Sequence, residues 1–224
     1  MPLVGVAILW VGCEGFGATP AELAKTQILA IRAEPPGIRP GETATLSILV
    51  ADPDGAVADP DVSWELVSDT ADEPPLGTVA IGADGGVTYD APDSIPGDVL
   101  QESIVARVSA ADGELAALKV IAVGDESLSN PALTAFTVDG SDILTGRSVT
   151  LAREQTVELS IGIDVAADGS AAVSWFATIG IIDQYRSNPT ELVVQDELGS
   201  GWLFAVVRDG LGGAVWEEIA VTVE

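Results

Sequence analysis

Apolar and polar residues alternate with a period of two through most of the chain from Gln27 onward. Clusters of Asp, Gly and Pro break the alternation roughly every 8–12 residues, which is the punctuation of short strands joined by tight turns. From Thr43 to Val50, Ala44, Leu46, Ile48 and Val50 fall on one face, and Thr43, Thr45 and Ser47 on the other. Val157, Leu159, Ile161, Ile163 and Val165 alternate in the same way. The tripeptide Val-Ser-Trp occurs twice inside such runs, at 62–64 and at 173–175. Val62, Trp64 and Leu66 then share an inward face, as do Val173, Trp175 and Ala177.

The pattern predicts strands at Gln27–Ala33, Thr43–Val50, Val62–Leu66, Thr78–Ile81 and Val87–Tyr89. Ser103–Ala110 and Glu114–Val123 form a hairpin about Asp112-Gly113, a strong two-residue turn signal. In the second half it predicts Leu133–Val138, a short edge strand at Val149–Ala152, then Val157–Val165, Val173–Ala177 and Glu191–Gln195. The final hairpin joins Trp202–Arg208 to Ala214–Val223 through Asp209-Gly210-Leu211-Gly212-Gly213. Ile179–Ile182 is a continuous apolar run, expected to be covered on both faces. The Val-Ser-Trp strand, the Asp-Gly hairpin and an Ile-Ala-Val ending (121–123 and 219–221) recur in one order in both halves. A length of 224 residues suits two such units of about 100 residues each.

About seven strands per unit, with a tryptophan on the third, resemble the immunoglobulin-like sandwiches common on bacterial surfaces. Ile28–Pro36, Arg39-Pro40-Gly41-Glu42-Thr43 and Ala51-Asp52-Pro53-Asp54-Gly55 are similar to the start of such domains in bacterial surface lipoproteins. The second unit resembles bacterial Ig-like or polycystic-kidney-disease-like modules. The resemblance implies an all-β chain of two tandem immunoglobulin-like β-sandwiches. The antibody-type cysteine pair is absent, so Trp64 and Trp175 are expected to be structural core residues packed on aliphatic side chains.

The first thirteen residues change the picture from architecture to address. An uncharged, mostly apolar run ends at Trp10-Val11-Gly12-Cys13. It is shorter than the ~20 apolar residues that a spanning helix needs, but suits the core of a signal peptide. The ending resembles the lipobox of bacterial lipoproteins, matching at Val11, Gly12 and Cys13 and departing at Trp10, where Leu is usual. The resemblance implies lipidation at Cys13 and a membrane anchor at the cell envelope. Glu14 to Thr26 lacks periodicity and reads as a tether, with one helical turn at Ala21–Lys25 as its candidate element. The expected organisation is a signal peptide over 1–12, lipidated cysteine and tether over 13–26, a first sandwich over 27–124, a linker over 125–130 that permits some hinge motion, and a second sandwich over 131–224.

Charge and composition then remove function classes. There are 35 acids and nine bases, giving a formal net charge of −26. The acids spread over both halves, 21 up to Asn130 and 14 after it. Such a surface repels a phosphate backbone, which excludes nucleic acid as a partner. One cysteine and no histidine exclude an intrachain disulfide, histidine-ligated zinc, Ser-His-Asp triads and Cys-His dyads.

Two constellations remain as candidate sites. Asp52, Asp54, Asp59 and Asp61 cluster in one inter-strand loop, and oxygen-rich loops suit Ca²⁺, although the spacing is not that of an EF-hand. Tyr185, Trp202 and Trp216 are candidates for a ligand platform that stacks on a sugar ring. Trp202 shares parity with Phe204 and Val206, which is equally the mark of a core or domain-interface face. The expected function is therefore a non-catalytic, lipid-anchored envelope protein, acting as an interaction or spacer module toward an envelope protein or glycan. A carbohydrate-binding module and a calcium-stiffened adhesin are the alternatives.

Overall fold

The computed structural model describes residues 20–68, 74–166, 169–196 and 198–224. The signal-peptide segment and Cys13 lie outside the described residues, as do Ala167 and Asp168 of the turn expected before the second Val-Ser-Trp strand.

Among the described residues, eighteen strands form four sheets. The first unit contains β1 (Gln27–Glu34), β2 (Gly37–Ile38), β3 (Thr43–Asp52), β4 (Gly55–Ala56), β5 (Val62–Val67), β6 (Thr78–Ile81), β7 (Val87–Asp90), β8 (Leu100–Ala110) and β9 (Gly113–Val123). The second contains β10 (Ala132–Val138), β11 (Ser141–Asp142), β12 (Ser148–Leu151), β13 (Thr156–Asp164), β14 (Ala172–Ala177), β15 (Ile181–Ile182), β16 (Thr190–Val193), β17 (Gly199–Arg208) and β18 (Ala214–Val223). In the first unit the sheet β1-β3-β7-β6, with β4 folded back on β3, faces the sheet β2-β9-β8-β5. The second repeats this plan as β10-β13-β16-β15, with β11 at its edge, facing β12-β18-β17-β14. In both, a short strand crosses to the opposite sheet and runs parallel to the last one: β2 beside β9, and β12 beside β18. One strand order used twice makes the chain two tandem immunoglobulin-like sandwiches.

The alternation builds each core. Ala44, Leu46, Tyr89, Ile104, Ile121 and Val123 meet in the first sandwich. Phe136, Leu159, Trp175, Leu203, Ala205 and Ile219 meet in the second. Trp175 is fully buried. Its indole N–H donates to the Ser187 carbonyl at 2.7 Å, and its ring meets Phe136 edge-on, with centroids 5.4 Å apart. Its polar atom is satisfied and its face is packed, as a buried tryptophan requires.

Trp64 does not have the same burial. It packs on the first core from the rim and stays half-buried; β5 and β14 are both edge strands, but the β14 edge is bonded by Ala21, Leu23 and Tyr185. The large fully buried ring there is Tyr89. Its hydroxyl donates to the carboxylate of buried Glu102, which also accepts the backbone N–H groups of Leu76 and Gly77. Burial first, then the hydrogen bond to Glu102, raise the Tyr89 phenol above its ordinary pKa.

Three further expectations change. Ile179–Ile182 is not covered on both faces: Ile179 and Ile182 are buried, and Ile181 is exposed. Ala21–Lys25 forms no helical turn; its Glu22 makes an isolated bridge to Ala177. The linker, expected to permit some hinge motion, is laced to the first sandwich. Gly124 N–H donates to the Ile38 carbonyl and Leu128 N–H to the Gly37 carbonyl, both at 2.9 Å, while Ser127 Oγ donates to Glu42 at 2.7 Å.

Trp175→Ala should cost about 3–5 kcal/mol, the range for large core aromatics. Trp64→Ala should cost only ~1–2 kcal/mol, in proportion to the smaller apolar area it withdraws from water. Urea unfolding of both variants checks this; equal losses would contradict the difference in burial.

Candidate functional site

The site that the fold builds is the joint between the sandwiches. On β3 the outward positions are Thr43, Thr45 and Ser47, but the same parity continues into Leu49 and Ala51, which are buried. Opposite them, the register of β1 slips between Ile28 and Ala30. This bulge lets both Leu29 and Ala30 reach the joint. The second sandwich presents the outer face of β14, β17 and β18. Phe176 lies beside Phe204, and Val206 beside Trp216. Leu29, Ala30, Leu49 and Ala51 then form one apolar cluster with Phe204 and Val206, flanked by Phe176, Trp202 and Trp216.

The segment before β1 belongs to this joint. Leu23 N–H donates to the Ala177 carbonyl at 3.0 Å, and Ala177 N–H to the Ala21 carbonyl at 2.8 Å. Ala21 enters the core of the second sandwich and Leu23 the joint cluster. Ala21–Leu23 are therefore docked at the Ala177 end of the β14 edge, where their lack of periodicity suggests only a tether.

Polar clasps cross the joint in both directions. The Lys119 ammonium, on β9 of the first sandwich, donates to the Gly212 carbonyl in the β17–β18 hairpin. The Arg208 guanidinium, on the second sandwich, donates to the Leu29 carbonyl at 2.6 Å. Asn130, from the linker, donates to the Ala33 carbonyl at 2.7 Å and accepts from Ala214 N–H at 2.8 Å. Each clasp satisfies backbone groups that the docking would otherwise bury unpaired.

The aromatic platform expected from the sequence is not assembled. Trp202 and Trp216 are half-buried against the joint cluster. Tyr185 packs instead on the core of the second sandwich, with the Arg186 guanidinium 5.1 Å from its ring centroid. The three rings therefore serve two different clusters. The physical reason is that the first sandwich covers the face on which Trp202 and Trp216 stand.

The four aspartates of the inter-strand loop are likewise not gathered into one cluster. Among the described residues, no group of three acidic side chains stands close enough to hold a metal ion. Asp52 accepts the Asp54 N–H at 2.8 Å and so closes its own turn. Asp59 occupies a left-handed position, with φ of 50°, and Asp61 is exposed on the approach to β5. The loop acts through Gly55. With φ of +120°, it lies so close to the Trp202 indole that a Cβ there would stand 2.5 Å from Nε1. Only glycine lets this turn seat on the ring.

No family model matches the chain, and no curated protein matches it in sequence. Among solved structures it is similar to the N-terminal two-immunoglobulin-domain module of the Drosophila receptor protein tyrosine phosphatase DLAR, at 14% identity and a TM-score of 0.32, covering 89% of this chain and 99% of that one. It is also similar to a chimeric titin tandem, at 14% identity and a TM-score of 0.35, over 89% and 99% of the two chains. The two immunoglobulin domains of DIP-gamma match at 11% identity and a TM-score of 0.31, over 89% and 98%.

Burial at the joint has a measurable signature. It pushes the Lys119 ammonium down to about 8 from 10.5, with Arg208 adding to the shift and Asp209 opposing it. Between those two values the unfolded chain holds the proton and the folded one does not, so this lysine's contribution to stability becomes more favourable as pH rises through that window. Lys119→Met should abolish that rise. The check is the difference in unfolding free energy between wild type and variant, measured from pH 7 to pH 10. A difference that stays flat or grows in the variant's favour contradicts the assignment.

Proposed function

We propose that the chain is a lipid-anchored protein of the bacterial cell envelope whose two sandwiches act together as one non-catalytic interaction module. The observation that carries this reading is the docked segment. Ala21–Leu23 precede the first sandwich in sequence but bond to the edge of the second at Ala177. Together with the apolar joint and the laced linker, this supports a single unit and not two beads on a flexible string.

The same observation bears on how the module would sit at a membrane. Fully extended, the chain between Cys13 and Pro20 reaches at most about 25 Å. A lipid on Cys13 would then hold the waist of the molecule within that distance of the bilayer. Diacylation with a further acyl chain on the freed amine suffices for stable anchoring. The acidic surface keeps nucleic acid away, and the partner in this reading is another envelope protein. The glycan reading is set aside, because its rings are divided between the joint and the second core.

Two experiments test this. Cys13→Ser should move the protein from the membrane fraction to the soluble fraction; unchanged fractionation would sink the anchor. Phe204→Ala removes a fully buried ring from the joint. It should cost about 3–5 kcal/mol and split the single thermal transition into two. A wild-type protein that already melts in two separate steps would contradict the single-unit reading.

A further inference from the structure

At one end of the joint, β1, β9 and the β17–β18 hairpin enclose a groove of about 320 Å³. That is near the lower end of small-ligand sites, which run roughly from 300 to 1,000 Å³. Ile28, Ile31 and Ala117 give it apolar walls. Two of its lining side chains, Lys119 and Arg208, are cations, and no lining residue is acidic. In a chain with 35 acids and nine bases, that lining is the reverse of the general surface.

Neither cation has a carboxylate partner among the described residues. The ion pairs there involve Arg32, Arg39, Arg107, Arg147 and Arg153. Lys119 is 6% exposed and close enough to Arg208 for the two charges to disfavour one another. The Asp209 carboxylate, inside the hairpin, favours the Lys119 charge by more than Arg208 disfavours it, but it accepts the Leu211 and Gly213 N–H groups at 2.8 Å and does not line the groove. From β1 and the linker, the facing polar groups are the Leu29 carbonyl and Asn130, both neutral. An ammonium has three donors and a guanidinium five. One from each goes to the carbonyl it clasps.

We propose that this groove binds a small organic carboxylate with a short aliphatic body, its carboxylate meeting Lys119 and Arg208 and its aliphatic part lying along Ile28 and Ile31. Such a ligand supplies a counter-charge to two neighbouring cations, buried Lys119 and exposed Arg208, and joins both sandwiches at once. The free acid and the C-terminal carboxylate of a peptide present the same chemistry. This inference goes beyond the envelope reading and does not depend on the anchor.

Calorimetric titration of the full, detergent-solubilised chain with hexanoate and with hexanol tests it. Hexanoate should bind saturably, and the neutral alcohol at least about ten-fold more weakly, as expected for lost charge-assisted hydrogen bonds. Arg208→Gln and Lys119→Met should each weaken hexanoate by a similar factor, with circular dichroism confirming that they fold. If a variant fails to fold, the acid–alcohol comparison on the wild type still decides. Equal binding of acid and alcohol, no saturable binding at millimolar hexanoate, or unchanged affinity in both folded variants would overturn the proposal. A short leucine-terminated peptide, with free or amidated C-terminus, separates the sources. Binding of the free form alone identifies a peptide terminus, and binding of hexanoate without either peptide identifies a small acid.

Discussion

The structure depends on one sheet that is apolar on both faces. On β17, Leu203, Ala205 and Val207 point into the second sandwich, while Trp202, Phe204 and Val206 point away from it. An immunoglobulin-like sandwich normally gives one face of each sheet to water. Here the outer face would be an exposed aromatic patch, and such patches do not persist uncovered on a soluble body. Burying Leu29, Leu49, Phe204 and Val206 against one another is worth about 1.5–3 kcal/mol for each fully covered side chain. That gain fixes where the first sandwich must sit, and the linker, the docked segment and the clasps all accommodate that position.

Apolar burial alone would leave the joint poorly specified, because it has no direction. The directional part comes from hydrogen bonds that cross between the sandwiches: Lys119 one way, Arg208 the other, and Asn130 to both. Gly55 adds a steric constraint, since its turn fits the Trp202 indole only without a Cβ. The charge balance fits the same scheme. The acids are mostly left on the surface, where water and counterions screen them, and the joint itself is sealed with cations against carbonyls.

Much of the fold was legible because a strand's side-chain period is two and a sandwich has a dry side. The longer strands fall close to where alternation and Asp-Gly turns put them, while β2, β4 and β11, of two residues each, are too short to show an alternation. Both Val-Ser-Trp segments lie in equivalent edge strands, β5 and β14. The periodicity reading stopped at the joint. The continuous run Trp202–Val207 and the step from Ser47 to Leu49 and Ala51 both signal a strand covered on two sides. Taken strand by strand, they do not say that the second cover is the other sandwich. Residues 20–26 carried no signal of their own, since their order comes from the open edge of β14 and not from their own pattern.

The sequence by itself determined an acidic, all-β chain of two like units, because alternation, turn chemistry and composition are local properties. It also set aside histidine chemistry and an intrachain disulfide within these 224 residues, because a missing residue type cannot be restored by folding. Only the tertiary structure decided what Trp202, Trp216, Lys119, Arg208 and the aspartate loop are for. Each acquires its surroundings from a segment more than a hundred residues away in sequence or from the opposite sandwich, and no local pattern encodes which faces will meet.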